Sequence, residues 1–214
     1  MKNKLLILIL IFGISPYYLS AQDTDDKPVK PTWGLKADMN MSAFIVSGVS
    51  EVDSKIGIGA TLGGFLNLEL SKHFVLQGEL LYHYKTSELN RKDLNGDYQY
   101  LGMEIPIYAI YQRKVNKNSK VYVGIGPYAE FGFYSKLKRG GEKIDLYEKD
   151  ETTEVSAMLD FNSGFGVLAG YEFANGIQLN AGYKISITNI QDANSSIIQM
   201  YPYAISLGVG YRFR

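Results

Sequence analysis

From Tyr201 to Phe213 every second residue is apolar: Tyr201, Tyr203, Ile205, Leu207, Val209, Tyr211 and Phe213. Between them lie Pro202, Ala204, Ser206, Gly208, Gly210 and Arg212. Side chains of a strand alternate between its two faces. One face of this segment is therefore continuously apolar and the other small or polar. That face is too apolar for the edge of a water-soluble sheet. It suits a strand with lipid on one side and a barrel lumen on the other.

The same two-faced pattern recurs seven more times. The apolar rows start at Trp33 (to Met41), Ile56 (to Leu70), Phe74 (to Tyr84), Leu101 (to Tyr111), Val121 (to Phe133), Phe161 (to Phe173) and Ile177 (to Ile187). Each is long enough for the ~9–11 residues of a tilted membrane strand. Helical spacing is nowhere sustained. The expected fold is all-β: an eight-stranded antiparallel up-and-down transmembrane β-barrel. Pro106 and Pro127 fall inside strands, where each removes a ladder hydrogen bond and is expected to mark a bulge.

The connections alternate in length. Ser71-Lys72-His73 and Ala174-Asn175-Gly176 are tight, and Asn175-Gly176 is a hairpin signal. Residues 113–119 form a moderate link, whereas 47–55, 86–97, 135–156 and 189–198 are long and polar. Short turns opposite long loops are what outer-membrane barrels show. Trp33, Tyr82, Tyr84, Tyr171, Tyr201, Tyr203, Tyr211 and Phe213 lie near strand ends on the apolar face, where interface aromatics belong.

Residues 1–21 read as a signal peptide. Lys2 and Lys4 precede an apolar core from Leu5 to Ile14, and Ser20-Ala21 offers a small-residue cleavage site. Residues 22–32 read as a disordered periplasmic leader, and 33–214 as the barrel. The expected location is the outer membrane of a Gram-negative bacterium. Mean hydropathy of -0.10 would suggest a soluble protein, but lipid-facing and lumen-facing residues average out in a barrel. With no cysteine there is no disulfide, thiolate metal site or lipidated Cys. Equal numbers of basic and acidic residues, 22 each, give no basic patch for nucleic acid. No cofactor is indicated.

An eight-stranded barrel is just wide enough for side chains to fill it. Its inward rows hold Asp38, Glu69, Glu79, Glu104, Glu130, Asp160 and Glu172 with Lys36, Lys85, Lys184 and Arg212. Seven acids against four bases call for ion pairs plus protons, waters or cations. We read this set as a structural charge network. The alternative is a narrow gated ion path along Glu79, Glu104 and Lys184. A soluble lipocalin-like binding barrel with the apolar face turned inward is the second alternative. Catalysis has little support: Glu79, His83 and Ser87 share a face, but strand residues four apart lie ~13 Å apart. No metal-ligand spacing is present. An unknown ligand or protein partner would have to bind at the external loops, among which 135–156 is the longest and most charged. A monomer in outer-membrane lipid is expected.

Four short motifs carry a family resemblance. Trp33-Gly34-Leu35-Lys36-Ala37 resembles the opening strand of the PorT-like outer-membrane barrels of Bacteroidota. Tyr100-Leu101-Gly102-Met103-Glu104-Ile105-Pro106 is similar to their YLEIP strand, with an extra Gly-Met pair. Gly126-Pro127-Tyr128 resembles their GPY strand, and Gly170-Tyr171-Glu172-Phe173 their GYEF hairpin. The resemblance implies an outer-membrane barrel and no single activity. Phe213 also resembles the C-terminal aromatic signal read by barrel assembly machinery, with Arg214 following it.

Overall fold

The computed structural model describes residues 31–47, 53–90, 96–116, 118–139, 141–148, 156, 158–191 and 199–213. The expected signal peptide and all but the last two residues of the leader lie outside them. Eight strands close the barrel: β1 (Pro31–Ser47), β2 (Asp53–Glu69), β3 (Phe74–Asn90), β4 (Gly96–Lys114), β5 (Lys120–Arg139), β7 (Phe161–Glu172), β8 (Ile177–Ser186) and β9 (Gln199–Arg212). A ninth short strand, β6 (Glu142–Asp145), pairs only with the far end of β5. All neighbours are antiparallel, and each wall strand pairs with the next in sequence.

The apolar stripe at the chain's end closes the cylinder. β9 pairs with β1 from Gly34↔Arg212 to Ser47↔Gln199, and the Phe213 amide donates to the Trp33 carbonyl at 2.8 Å. Every wall strand then has two neighbours, which satisfies the backbone groups that lipid cannot.

The outer face is an apolar band. Leu35, Met39, Ile58, Leu62, Leu80, Ile125, Leu207 and Val209 are among its exposed side chains. On β3 it runs from Phe74 to Tyr84 and then gives way to Thr86 and Glu88. Ten residue steps of ~3.3 Å, tilted by ~40°, make a band about 25 Å tall. Tyr82 and Tyr84 thus mark the upper edge of the band, while the strand itself runs further. Trp33, Tyr171, Tyr211 and Phe213 gather at the opposite, short-turn edge: Trp33 and Phe213 lie 4.1 Å apart, and Tyr211 and Phe213 5.1 Å.

Three expectations are corrected. The bulges are not at the prolines: Pro106 and Pro127 keep register, and the β4–β5 shift falls between Leu101 and Gly102, where Phe133 is the extra residue. Past that bulge the faces of β5 invert, so Ser135 and Leu137 point inward and are fully buried. The expected loop from Ser135 is therefore in large part folded, as the end of β5 and its β6 hairpin. The 86–97 loop likewise shrinks, because β3 continues to Asn90 and β4 starts at Gly96.

The wall is uneven. β2 to β5 are 17 to 20 residues long, while β7 and β8 have 12 and 10. Chain segments fold into the gap above the short strands, held by backbone bonds. Leu146 N donates to Ser135 O at 2.9 Å, Met158 N to Leu146 O at 2.9 Å, Leu159 N to Ile190 O at 2.7 Å and Ile190 N to Met200 O at 3.1 Å.

Candidate functional site: the barrel lumen

The inward faces build the lumen in layers. At the short-turn mouth Arg212 reaches Glu69 at 3.3 Å and also pairs with Glu172. Lys120 binds the same Glu69 at 3.2 Å, and Gln178 donates to Glu172 at 3.0 Å. A cavity of about 20 Å³ lies between these groups. Above them is an apolar layer of Val75, Tyr108, Ile110 and Leu168, with Tyr122 packed against it.

The middle of the lumen is charged. Lys36 lies 3.3 Å from Asp38 and 3.4 Å from Glu79, and Gln77 donates to Glu79 at 2.6 Å. One layer higher, Lys184 of β8 pairs with Glu104 of β4. His83 Nε2 is 3.2 Å from the other Glu104 oxygen but is not aligned to hydrogen-bond it. The His83 Nδ1 side contacts Thr61 Oγ1 at 2.7 Å, and Asn40 donates to Thr61 at 3.0 Å. Above that, Lys85 pairs with Glu130 at 2.5 Å and sits 5.4 Å from the Tyr100 ring centre. Asn162 donates to the second Glu130 oxygen at 3.2 Å.

An apolar plug caps the charged layers at the long-loop end. Phe44, Tyr98, Tyr100, Leu137, Leu146, Met158, Ile190 and Met200 form one buried cluster, with Val46 and Tyr147 against it. A cavity of about 40 Å³ lies under the plug, floored by Lys85, Glu130 and Asn162. It has room for a few waters only.

The charge count differs from the sequence expectation at two positions. Asp160 precedes β7 and lines the upper cavity from its exposed rim rather than being buried among the lumen charges. Lys120, one residue before the expected strand, faces inward and binds Glu69. Extending the even-numbered row of β5 back by one residue would have found it. Six acids (Asp38, Glu69, Glu79, Glu104, Glu130 and Glu172) now face five bases (Lys36, Lys85, Lys120, Lys184 and Arg212). Every one of those bases has a carboxylate within ion-pair reach, so the predicted excess of negative charge largely disappears. Glu69 is the least buried member, with a side chain 39% exposed at the mouth.

The residues weighed for catalysis do not meet. Glu79 is held by Lys36 and Gln77, and Ser87 hydrogen-bonds Ser54 Oγ and the Lys55 carbonyl. His83 instead stands between Thr61 and Glu104, a nucleophile–base–acid order that sequence spacing concealed because three strands supply it. All three are buried, Thr61 also takes the Asn40 amide, and neither cavity has Thr61 in its wall. His83, Glu104 and Glu130 also place their donor atoms within 4.8 Å of one another, close enough for one ion. Both carboxylates already hold a lysine, so the group is neutral. A divalent cation would add two uncompensated charges to a closely packed interior.

A closed antiparallel cylinder with a lipid-facing outer band and a polar, packed interior defines the class: a transmembrane β-barrel of outer-membrane type. The chain belongs to the outer membrane protein beta-barrel domain family, whose model matches residues 21–192, and its place is the outer membrane of a Gram-negative bacterium. The fold is similar to that of the outer membrane protein OprG from Pseudomonas aeruginosa, at 12% identity and a TM-score of 0.55, over 87% of this chain and 97% of that one. Neisserial surface protein A is 17% identical with a TM-score of 0.48, over 85% and 97%. Ail, the attachment invasion locus protein of Yersinia pestis, solved with the heparin analogue sucrose octasulfate, is 14% identical with a TM-score of 0.45, over 86% and 99%. No curated protein sequence matches the chain.

Proposed function

We propose that this barrel acts as a structural or surface-interaction protein and conducts no solute. The observation that carries the reading is the apolar plug, in which eight buried side chains from β1, β4, β5, β9 and the β6–β7 and β8–β9 connections close the long-loop mouth over a set of paired charges. A water-filled pore needs an open lumen; here the interior serves as the core. Interaction with other molecules falls to the crown that β1 to β5 raise above the lipid band, including the β5–β6 hairpin. The separation of Glu79, His83 and Ser87 supports a non-enzymatic role. The motifs from Trp33, Tyr100, Gly126 and Gly170 support the finer PorT-like affiliation, and residues 1–21 an export signal cleaved near Ala21. Phe213, packed against Trp33 at the barrel seam, supports insertion by the barrel assembly machinery.

Planar-bilayer recording of the refolded full barrel tests the reading. No conductance steps are expected at any holding potential. Reproducible ion-selective steps would overturn it in favour of the path along Glu79, Glu104 and Lys184.

A further inference from the structure

Among the described residues the short-turn rim has two unlike sectors. One sector, formed by the β7–β8 turn and the β9–β1 seam, presents Trp33, Phe173, Ala174, Asn175 and Tyr211, with no exposed charged residue among those described. The other sector holds three exposed cations on neighbouring turns: Lys72 between β2 and β3, and Arg113 and Lys114 at the end of β4. Register brings the first two together. Phe74 faces Tyr111, and Gln112 N donates to His73 O at 2.7 Å, so Lys72 is level with Arg113. Lys114 faces Lys120 across the β4–β5 ladder and so lies on the lumen side of the rim, behind the lipid-facing pair.

Like charges set opposite one another cost stability, and a protein surface ordinarily intersperses both signs. Here the local carboxylates are directed away: Glu69 is held by Lys120 and Arg212, and Glu172 by Arg212. Among the described residues none of the three exposed cations lies within ion-pair distance of a carboxylate. Their depth is fixed by aromatic rings. Phe74 and Tyr111 pack at 5.6 Å at the edge of the apolar band, and His73 stacks on Tyr111 at 5.8 Å. Lys72 and Arg113 each stand two residues beyond that pair. At ~3.3 Å per residue, tilted, this is about 5–7 Å past the rings, which is the headgroup layer.

We propose that Lys72 and Arg113 form a binding site for anionic phospholipid headgroups in the leaflet that meets the short-turn rim. Arg113 offers the planar fork that matches two phosphate oxygens, and Lys72 supplies point charge. A zwitterionic headgroup carries its own ammonium and gains less from a pair of cations. Selectivity is therefore for net negative lipid. The aromatic rings of the seam anchor depth. The arrangement orients the barrel's lipid shell, with one sector enriched in anionic lipid.

The test is native mass spectrometry of the full barrel released from mixed phosphatidylglycerol–phosphatidylcholine nanodiscs, counting retained lipids of each kind. Wild type is expected to retain phosphatidylglycerol preferentially. Each cation near an anionic surface is worth roughly fivefold, so K72Q/R113Q is expected to lose tenfold or more of that preference. The charge-keeping K72R variant is expected to retain it, with folding of each variant checked by heat-modifiable gel mobility. Equal retention of the two lipids by wild type would overturn the proposal. So would loss of the preference in K72R, or unchanged preference in the glutamine variant. Displacement of the bound lipid by inorganic phosphate at matched ionic strength would assign the site to a free anion and overturn it as well.

Discussion

Removing the charge of Glu104 distinguishes a sealed lumen from a wet one. Glu104 is only 1% exposed and pairs with Lys184, which arrives from β8, eighty positions along the chain. Glu104→Gln leaves the Lys184 ammonium facing a neutral amide, while Glu79, the other carboxylate that acts on it, is taken by Lys36 and Gln77. Breaking a buried pair in this one-sided way costs about 3–5 kcal/mol. If water filled the lumen, the pair would be screened like a surface ion pair, and its loss would cost about 0–1 kcal/mol. Lys184→Met should cost a similar 3–5 kcal/mol. The double variant E104Q/K184M removes both charges and should be far less damaging than the sum of the two, because replacing a whole buried pair by neutral groups is often tolerated. Urea unfolding of the barrel in vesicles, followed by gel mobility and Trp33 emission, measures all three. A loss below 1 kcal/mol for E104Q, or additive losses in the double variant, would refute a sealed, ion-paired core.

Other perturbations probe the remaining layers. A Cβ at Gly34 would meet the Phe65 ring at 2.2 Å and the Tyr211 carbonyl at 2.4 Å, whereas one at Gly78 meets nothing within 4 Å; Gly34→Val should cost at least ~1–3 kcal/mol from overpacking and Gly78→Val almost nothing in the same urea assay. Leu137 is completely buried in the plug; Leu137→Asp should lower stability by several kcal/mol, since an unpaired carboxylate there has no partner, and an unchanged unfolding midpoint would show that the plug is not packed. Trp33, the single tryptophan, is 56% exposed on the lipid face; its emission should be blue-shifted in vesicles and quenched by brominated acyl chains, whereas a water-like emission maximum would place that face away from lipid.

Much of this fold is legible in the chain because a lipid-facing strand obeys one simple rule. The period-2 rows of β1 to β4 and β7 to β9 follow from the pleat alone, as does the hairpin at Asn175-Gly176, where Gly176 adopts a φ of +90°. Strand ends were harder to see. Beyond the lipid band both faces meet polar surroundings, so Thr86, Glu88, Asp97 and Lys138 look like loop residues although ladder bonds join them. The bulge at Phe133 was invisible for a different reason. One extra residue exchanges the two faces of β5, and no local signal tells whether Ser135 or Tyr134 turns inward.

The chain by itself determined that alternate residues face lipid, that eight such rows close a barrel, and that the opposite rows carry charge. These are local properties, set by the strand period and by what hydrocarbon excludes. The tertiary structure alone decided which charges meet. Glu104 found Lys184 and His83, Glu130 found Lys85, and Lys120 replaced Asp160 in the balance, because pairing across the lumen depends on register and barrel stagger. The plug is decided at the same level: β7 and β8 are too short to complete the wall, and Leu146, Met158 and Ile190 can be buried only in the space those strands leave open.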